Sequence, residues 1–167
     1  MKKAFTLIEL IFVIVIIGLL ASYAVPKFMT TKMHASTTSA KSVVSSVRTA
    51  IETKHGEWMI DDSLGTSNGY TPQGYPQKLD DASLNQAGED LFDGTSKLPL
   101  LKRPIKSCSG SSCWMKIAQN NDTNESTYKY SITNSDNIEL NYTGSDGNFS
   151  CIDGGSLDKS QCESLID

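Results

Sequence analysis

The chain has 167 residues, 15 Lys and Arg against 19 Asp and Glu, and a formal net charge of -4. Apolar residues make up 38% of it, but residues 5–25 hold 17 of them, so the rest is poorer in apolar residues than a typical globular domain. So few apolar residues outside this segment can form only a small core, which argues against a large α/β enzyme. The excess of acids argues against a surface that binds nucleic acid throughout. Two His and no cluster of acid, base and nucleophile predict that the chain is not an enzyme.

The first 28 residues are basic at the start and then almost entirely apolar. The apolar run over residues 5–25 is interrupted at four positions, Thr6, Glu9, Gly18 and Ser22. At about 1.5 Å per residue this run reaches about 31 Å as a helix, which matches the hydrocarbon core of a bilayer. The segment therefore predicts a membrane-spanning helix. Lys2 and Lys3 predict that its N-terminus stays on the cytoplasmic side.

An ordinary secretory signal cleaved after Ala24 is the alternative, because such signals also combine a basic start, an apolar run and small residues. In that case the mature chain begins at Val25 and is a soluble exported binding protein. Glu9 argues against this alternative. A carboxylate inside an apolar segment is costly at bilayer depth and usually has a function and a partner of opposite charge.

The segment from Lys2 to Leu10, KKAFTLIEL, closely resembles the class III signal of type IV pilins and of the pseudopilins of type II secretion systems. In that family a prepilin peptidase at the inner membrane cuts before the Phe and methylates the new amino group, and a Glu follows four residues later. The resemblance therefore implies cleavage between Ala4 and Phe5, methylation of Phe5, and a role for Glu9 in assembly. Ala4 stands where the family usually has Gly.

The resemblance implies a structural subunit of a filament, held first in the bacterial inner membrane by a single span with its head in the periplasm. The expected partners are copies of itself, other pilin-like subunits, the prepilin peptidase and the inner-membrane assembly platform. A pseudopilin for protein secretion is the first expectation. A type IV pilus subunit for adhesion or motility, or a subunit of a DNA-uptake system, is the alternative. Nucleic acid is not an expected partner of the chain itself.

In such a filament the Phe5 ammonium of one subunit would pair with Glu9 of its neighbour. Neither charge is stable alone in a packed apolar core, so the pair would select the axial register more than it would add strength. Pro26 removes a helical hydrogen bond and predicts a bend or local melting near residues 22–26, with Gly18 as a second weak point. We expect Gly18 and Pro26 to make the assembled helix flexible.

The expected fold class is α+β, a long N-terminal helix packed on a small antiparallel sheet, as in pilins. The predicted divisions are a leader (1–4), a transmembrane and filament-core helix (5–28), an amphipathic helix of the head (29–56), a variable loop region (57–107), and an antiparallel sheet with the C-terminal region (108–167). Gly56 predicts the end of the helix. The apolar stripe of the second helical part is Met29, Met33, Ala40, Val43, Val44, Val47, Ala50 and Ile51.

That stripe is weakest at Ser36 and Thr37. The loop region is predicted to be irregular, with a short helix near residues 80–92. Within it, residues 97–106 carry four positive charges and no acid. We expect this segment to be a solvated loop or a contact with an acidic neighbouring subunit, and a DNA-contacting patch is the alternative.

Short alternating runs after residue 108 predict an antiparallel meander. Met115 and Ile117 are expected on one face of its first strand. The later strands are expected to present Tyr128, Tyr130 and Ile132, then Ile138, Leu140 and Tyr142, and then residues within 149–152. The apolar stripe of the helix is expected to cover one face of this sheet.

The head contains four cysteines, Cys108, Cys113, Cys151 and Cys162. An even count outside the cytosol predicts two disulfides with three connectivities. Sequence proximity favours Cys108 with Cys113 and Cys151 with Cys162. A tetrahedral zinc site is the alternative.

Oxygen-bearing side chains crowd the C-terminal loops, at Asp146, Asn148, Asp153 and Asp158. Such side chains suit calcium, and major pseudopilins hold calcium near this part of the chain, so these four are weak calcium candidates. Solvated acids in turns are the alternative, and no other cofactor is expected.

Overall fold

The structure is a computed structural model that describes residues 6–61 and 63–166. It is α+β, which confirms the predicted class and is consistent with a pilin fold. Helix α1 spans Leu7–Ile60 and helix α2 spans Lys159–Ile166. The chain divides into two compact units, which we call the stem unit (residues 1–35) and the head unit (residues 36–167).

Within the stem unit, α1 begins at Leu7 and runs through Pro26 without interruption. Of the two alternatives predicted near residues 22–26, local melting is wrong, because those residues are helical, and the bend stays a prediction. Hydroxyl groups beside the proline donate to carbonyl oxygens of the helix: Ser22 Oγ to Leu19 at 2.8 Å, and Thr30 Oγ1 to Lys27 at 2.9 Å. Neither bond reaches the Ser22 carbonyl, which is the acceptor that loses its backbone donor because Pro26 has no N–H.

Strands of the head unit form two antiparallel sheets. Strands β1 (Asp90–Leu91) and β2 (Ile105–Lys106) pair as a short ribbon. The larger sheet is a meander in the order β3-β4-β5-β6, with β3 at Cys113–Asn120, β4 at Glu125–Ser131, β5 at Asn137–Thr143 and β6 at Asn148–Ile152. The meander confirms the pattern predicted from alternating residues.

The predicted short helix near residues 80–92 is wrong. That segment consists of turns followed by β1, and it contains no helical residue. The Asp80 carboxylate accepts hydrogen bonds from the backbone N–H groups of Ala82 at 3.2 Å and Phe92 at 3.1 Å. These two bonds satisfy donors that a helix would have paired with its own carbonyl groups, so the segment folds around one side chain.

The face of β3 predicted from Met115 and Ile117 is not the one that packs into the core. The strand buries Trp114 and Lys116, whereas Met115 and Ile117 are only half-buried on the other side. A bulge between Lys116 and Ala118 then leaves Ile117 without a paired residue. The predicted residues Tyr128, Tyr130, Ile132, Ile138, Leu140 and Tyr142 are buried, and β6, a predicted strand, buries Phe149 and Cys151.

One face of α1 packs into the same core as the sheet. Its buried residues are Ser36, Ala40, Val44, Val47 and Ile51. Met29 and Met33, which belong to the predicted stripe, are exposed, and the helix continues past Gly56 to Ile60.

Ser36, where the apolar stripe was expected to be weakest, is buried and hydrogen-bonded to the sheet. Its Oγ lies 2.8 Å from the hydroxyl of Tyr130, and that hydroxyl donates to the Ser36 carbonyl at 2.9 Å. Ser112 Oγ donates to Ser36 Oγ at 3.0 Å. A hydrogen-bonded hydroxyl therefore fills the gap in the apolar stripe, because its polar atoms are satisfied inside the core.

Both outer strands of the meander have backbone acceptors already occupied. On β3, the carbonyl of Trp114 accepts from the N–H of Cys108 at 3.1 Å, and that of Lys116 accepts from Asn85 at 2.9 Å. On β6, the carbonyl of Phe149 accepts from Arg48 Nε at 2.9 Å, and α2 packs against the strand. The edges of the sheet are thus covered by loops, a helix and a side chain.

Candidate functional site

The start of α1 is closed by a reciprocal pair of hydrogen bonds between Thr6 and Glu9. The Glu9 carboxylate accepts from the Thr6 N–H at 3.1 Å and from its hydroxyl at 3.0 Å, while the Glu9 N–H donates to Thr6 Oγ1 at 3.3 Å. This arrangement is a capping box, in which a Thr before the helix and a Glu three residues later satisfy each other's free backbone donors. The Thr-x-x-Glu spacing that predicts it is present in the sequence, but the sequence analysis considered Glu9 only for contacts between subunits.

Glu9 is exposed, and its carboxylate retains acceptor capacity. An ionised carboxylate has about four acceptor positions, and Thr6 uses two of them. Glu9 can therefore hold the helix start and still accept a further donor such as an ammonium group. Ala4 and Phe5, the predicted processing residues, lie outside the described residues.

Every described residue of the stem unit is exposed. Its apolar side chains include Phe12 at 66%, Leu19 at 68% and Phe28 at 73% exposed. The N-terminal part of α1 is long and apolar enough to cross a membrane, and none of that part is buried by the rest of the chain. So large an apolar surface calls for a bilayer or other subunits to cover it.

Gly18 and Pro26 both lie within this exposed helix. A Cβ at Gly18 would meet no atom within 4 Å, so packing within the chain does not require a glycine there. The assembly roles of Gly18 and Pro26 therefore stay predictions.

The head unit holds a buried ion pair that the sequence analysis missed. Lys116 Nζ lies 2.9 Å from Asp80 Oδ1, and both side chains are 0% exposed. Tyr128 donates its hydroxyl to Asp80 Oδ2 at 2.8 Å, in addition to the backbone donors of Ala82 and Phe92. Burial, reinforced by the Asp80 charge, raises the pKa of Tyr128 well above its usual value. Because the Lys116 ammonium and both Asp80 carboxylate oxygens have hydrogen-bond partners, the cluster holds the loop region against the sheet.

Two disulfides occur in the head unit, and they pair Cys108 with Cys113 and Cys151 with Cys162. The zinc alternative is wrong, because none of the four cysteines is free to bind a metal. The second bond joins β6 to α2, a helix that the sequence analysis did not predict. The structure thus assigns the cysteines a covalent structural role.

The four calcium candidates lie at two places in the chain, and Asp153 and Asp158 line one hollow beside Lys159. Asp146 lies in the turn before β6 and Asn148 at the start of that strand, whereas Asp153 and Asp158 follow its end. Asp146 and Asp153 each accept one backbone N–H, from Asn148 and Lys159.

Asp158 caps the start of α2 by accepting from Gln161 N–H at 2.8 Å, which lowers its carboxyl pKa. Among the described residues, no group of three or more His, Cys, Asp or Glu could hold a metal ion.

The basic segment at residues 97–106 divides its cations between two uses. Lys97 Nζ donates to the carbonyl of Ser67 at 2.9 Å, and Lys106 pairs with Asp90 at 2.7 Å. Lys102 and Arg103 are exposed, and neither has a hydrogen bond or ion pair to any residue that the structure describes. These two cations are therefore available to a partner.

Residues 1–25 match a family described as the prokaryotic N-terminal methylation motif. The match confirms that the N-terminus carries a class III signal of the type IV pilin-like kind, which prepilin peptidase processes. Together with the apolar helix it indicates a membrane-anchored precursor of a pilin-like subunit, and the family of the motif is structural rather than enzymatic. No curated protein and no solved structure matches the chain significantly.

Proposed function

We propose that this protein is a structural subunit of a filament of the type II secretion or type IV pilus kind. After cleavage between Ala4 and Phe5 and methylation of Phe5, an assembly platform in the inner membrane would draw it from the bilayer into the filament. The observation that carries the proposal is the methylation motif joined to a helix whose apolar surface the chain leaves uncovered. In the filament other subunits would replace lipid as the cover of that surface, so the apolar stem stays out of water before and after assembly.

Glu9 supplies the specificity of this step. It is the only acid before Glu52, so each stem brings one negative charge into an apolar filament core. The Phe5 ammonium of a neighbouring subunit would neutralise it, since a paired charge is far less costly to bury than an isolated one. The capping bonds from Thr6 keep the Glu9 carboxylate at the helix start, which holds one partner of the pair in place.

The direct test is mass spectrometry of the N-terminal peptide from protein purified from its own membranes. We expect a chain that begins at N-methylated Phe5. A chain that begins at Val25 would show an ordinary secretory signal and end the proposal.

The second test separates the charge of Glu9 from its role as a cap. Glu9→Gln removes the charge but keeps an oxygen that can accept the Thr6 N–H. We expect Glu9→Gln and Glu9→Ala to be cleaved and methylated normally but to be depleted at least tenfold from sheared filaments. Normal incorporation of Glu9→Gln would refute the charge pairing while leaving the filament function intact.

Within this class we propose a pseudopilin that serves protein secretion, with a pilus for adhesion, motility or DNA uptake as the second candidate. The compact head and the unspecialised stem support the first. Deletion of the gene distinguishes the two, because loss of protein export with normal motility and DNA uptake is expected of a pseudopilin. The reverse pattern would assign the protein to a pilus.

A further inference from the structure

A groove runs along one side of α1 within the head unit, between the helix and residues 100–105. On one side it is lined by helix residues such as Ser46 and Thr49, and on the other by Leu100 and Leu101. Its larger part has a volume of about 480 Å³, and the two parts share Ser46 and Lys102 in their walls. This space can receive several side chains from another molecule.

Cations are the charged donors of the groove. Three of the five helix hydroxyls in its walls are used as donors, because Ser46, Thr49 and Thr53 each bond at 2.8 Å to the carbonyl one turn earlier. Lys54 pairs with Glu57 at 2.7 Å. The charged donors that bond to no described residue are Lys102 and Arg103 on the opposite wall. A partner that fits must bring carboxylates or other anions.

Charge in the head unit is strongly segregated. Outside residues 97–106, it has 7 Lys and Arg against 18 Asp and Glu, whereas residues 97–106 have four cations and no acid. After β6, the exposed acids Asp153 and Asp158 lie on the C-terminal segment with the half-buried Glu163 of α2, whose carboxylate is 3.8 Å from Lys159 Nζ, so residues 153–163 carry three acids and one cation. The head unit thus carries a cationic groove and an acidic segment that complement each other.

We infer that the groove beside Lys102 and Arg103 binds the acidic C-terminal segment, residues 153–163, of a second copy of this chain. The contact joins two different patches, so it is heterologous, and heterologous contacts that do not close into a ring build open helical filaments. This inference rests on the proposed function and deepens it, because it names a contact between heads in addition to the apolar stems. Nucleic acid is disfavoured as the occupant, since two free cations make a short track and the surrounding head is acidic.

Zero-length carbodiimide cross-linking of intact filaments tests the contact, because it joins an amine to a carboxylate only where they touch. We expect a cross-linked peptide pair between Lys102 and the segment 153–163 in wild-type filaments. It should be absent from Lys102→Gln filaments and from the detergent-solubilised monomer. A cross-link of equal yield in the monomer would place the contact within one chain and overturn the inference.

A charge exchange provides the second test. Arg103→Glu and Glu163→Lys should each lower the assembled fraction about fivefold, and the double variant should recover most of it. Lys78→Glu is the matched control, because it makes the same change in charge at a different hollow of the head, and it should assemble normally. Single variants that assemble like the wild type, or a double variant without recovery, would overturn the groove contact.

These outcomes distinguish loss of the groove contact from loss of the filament function. If Arg103→Glu and Glu163→Lys both assemble normally into filaments with methylated Phe5, the groove contact is refuted and the proposed function is retained. Absence of methylated Phe5 and of filaments in the wild type would remove both. Binding of the wild-type protein to duplex DNA at 150 mM salt, if Arg103→Glu abolishes it, would identify nucleic acid rather than a second copy as the occupant of the groove.

Discussion

Glu9 has two uses that draw on different parts of its chemistry. As the third residue of α1 it completes the capping box with Thr6, which needs only an oxygen acceptor. As the single acid of the stem unit it is the proposed partner of a neighbouring ammonium, which needs a negative charge. The two uses can be separated by substituting one member of the box at a time.

Thr6→Ala should loosen the first turn of α1 without removing the charge of Glu9. Loss of a Thr cap costs about 1 kcal/mol, which corresponds to about fivefold faster amide exchange. We expect this acceleration at residues 10–14 of the full chain in detergent, measured by hydrogen–deuterium exchange. Thr30→Ala is the control, since Thr30 bonds to Lys27 in the helix interior and caps nothing. Equal exchange in the two variants would contradict the capping role.

The effect of removing the buried Lys116 on the free energy of unfolding depends on its partner, Asp80. Lys116→Met leaves the Asp80 carboxylate in the core without a cation, which should lower the free energy of unfolding by about 3–5 kcal/mol. Adding Asp80→Asn removes the stranded charge, so the double variant should be more stable than Lys116→Met alone. Urea unfolding of the full chain in detergent, followed by Trp114 fluorescence, measures both.

The control for this pair is Lys106→Met, which breaks the exposed ion pair with Asp90. Its cost should stay below about 1 kcal/mol, since exposed pairs contribute little. Similar losses for Lys106→Met and Lys116→Met would contradict the buried ion pair as an anchor of the head unit.

Among the elements, those with local signals were predictable. The alternation along β4 and β5 places Tyr128, Tyr130 and Leu140 inside, and the meander follows from it. Strand β3 was misassigned because its inward Lys116 is compatible with burial only through Asp80, which is 36 residues earlier in the chain. The alternation of residues along β3 does not indicate a partner so distant in the sequence.

The same limit explains the other errors in the elements. Residues 80–92 fold around the Asp80 carboxylate, and Ser36 is buried through Tyr130, which lies 94 residues away. Helix α2 was missed because it buries only Cys162 and Ile166, and a disulfide holds it in place. In the stem, the Thr6 and Glu9 signal was available in the sequence but was not used.

Helix α2 should depend on its disulfide more than on its own sequence. Cys151→Ser combined with Cys162→Ser opens a loop with a sequence separation of 11 residues, at a cost of about 3 kcal/mol in the chain-entropy estimate. We expect the amides of α2 to lose their protection from hydrogen exchange. Cys108→Ser with Cys113→Ser opens a shorter loop and should leave α2 protected. Unchanged protection of α2 without Cys151 and Cys162 would contradict this dependence.

For the head as a whole, the strongest pH dependence is expected in alkali. Burial is the main cause that raises the pKa values of Tyr128 and Tyr142 above the ordinary value of 10.0. Above pH 10 the unfolded chain loses these protons while the folded chain keeps them, so folding stability falls as pH rises. Each tyrosine contributes about 1.4 kcal/mol per pH unit.

Urea unfolding between pH 9 and 11.5 measures this slope. The two tyrosines together predict a loss of about 2.7 kcal/mol per pH unit above pH 10. Tyr142→Phe should lower the slope by about 1.4 kcal/mol per pH unit, although it also removes the hydrogen bond to the Pro76 carbonyl and lowers stability at every pH. A slope that does not change in Tyr142→Phe would contradict the buried phenol.

The occupied edges of the meander determine how copies of this molecule can join. With carbonyl groups of Trp114, Lys116 and Phe149 already accepting bonds, a neighbour finds little backbone to which it could add a strand. Growth of an ordered polymer must then proceed through whole folded subunits that meet by side chains. The proposed filament would therefore come apart into intact, reusable monomers, because no strand is exchanged between subunits.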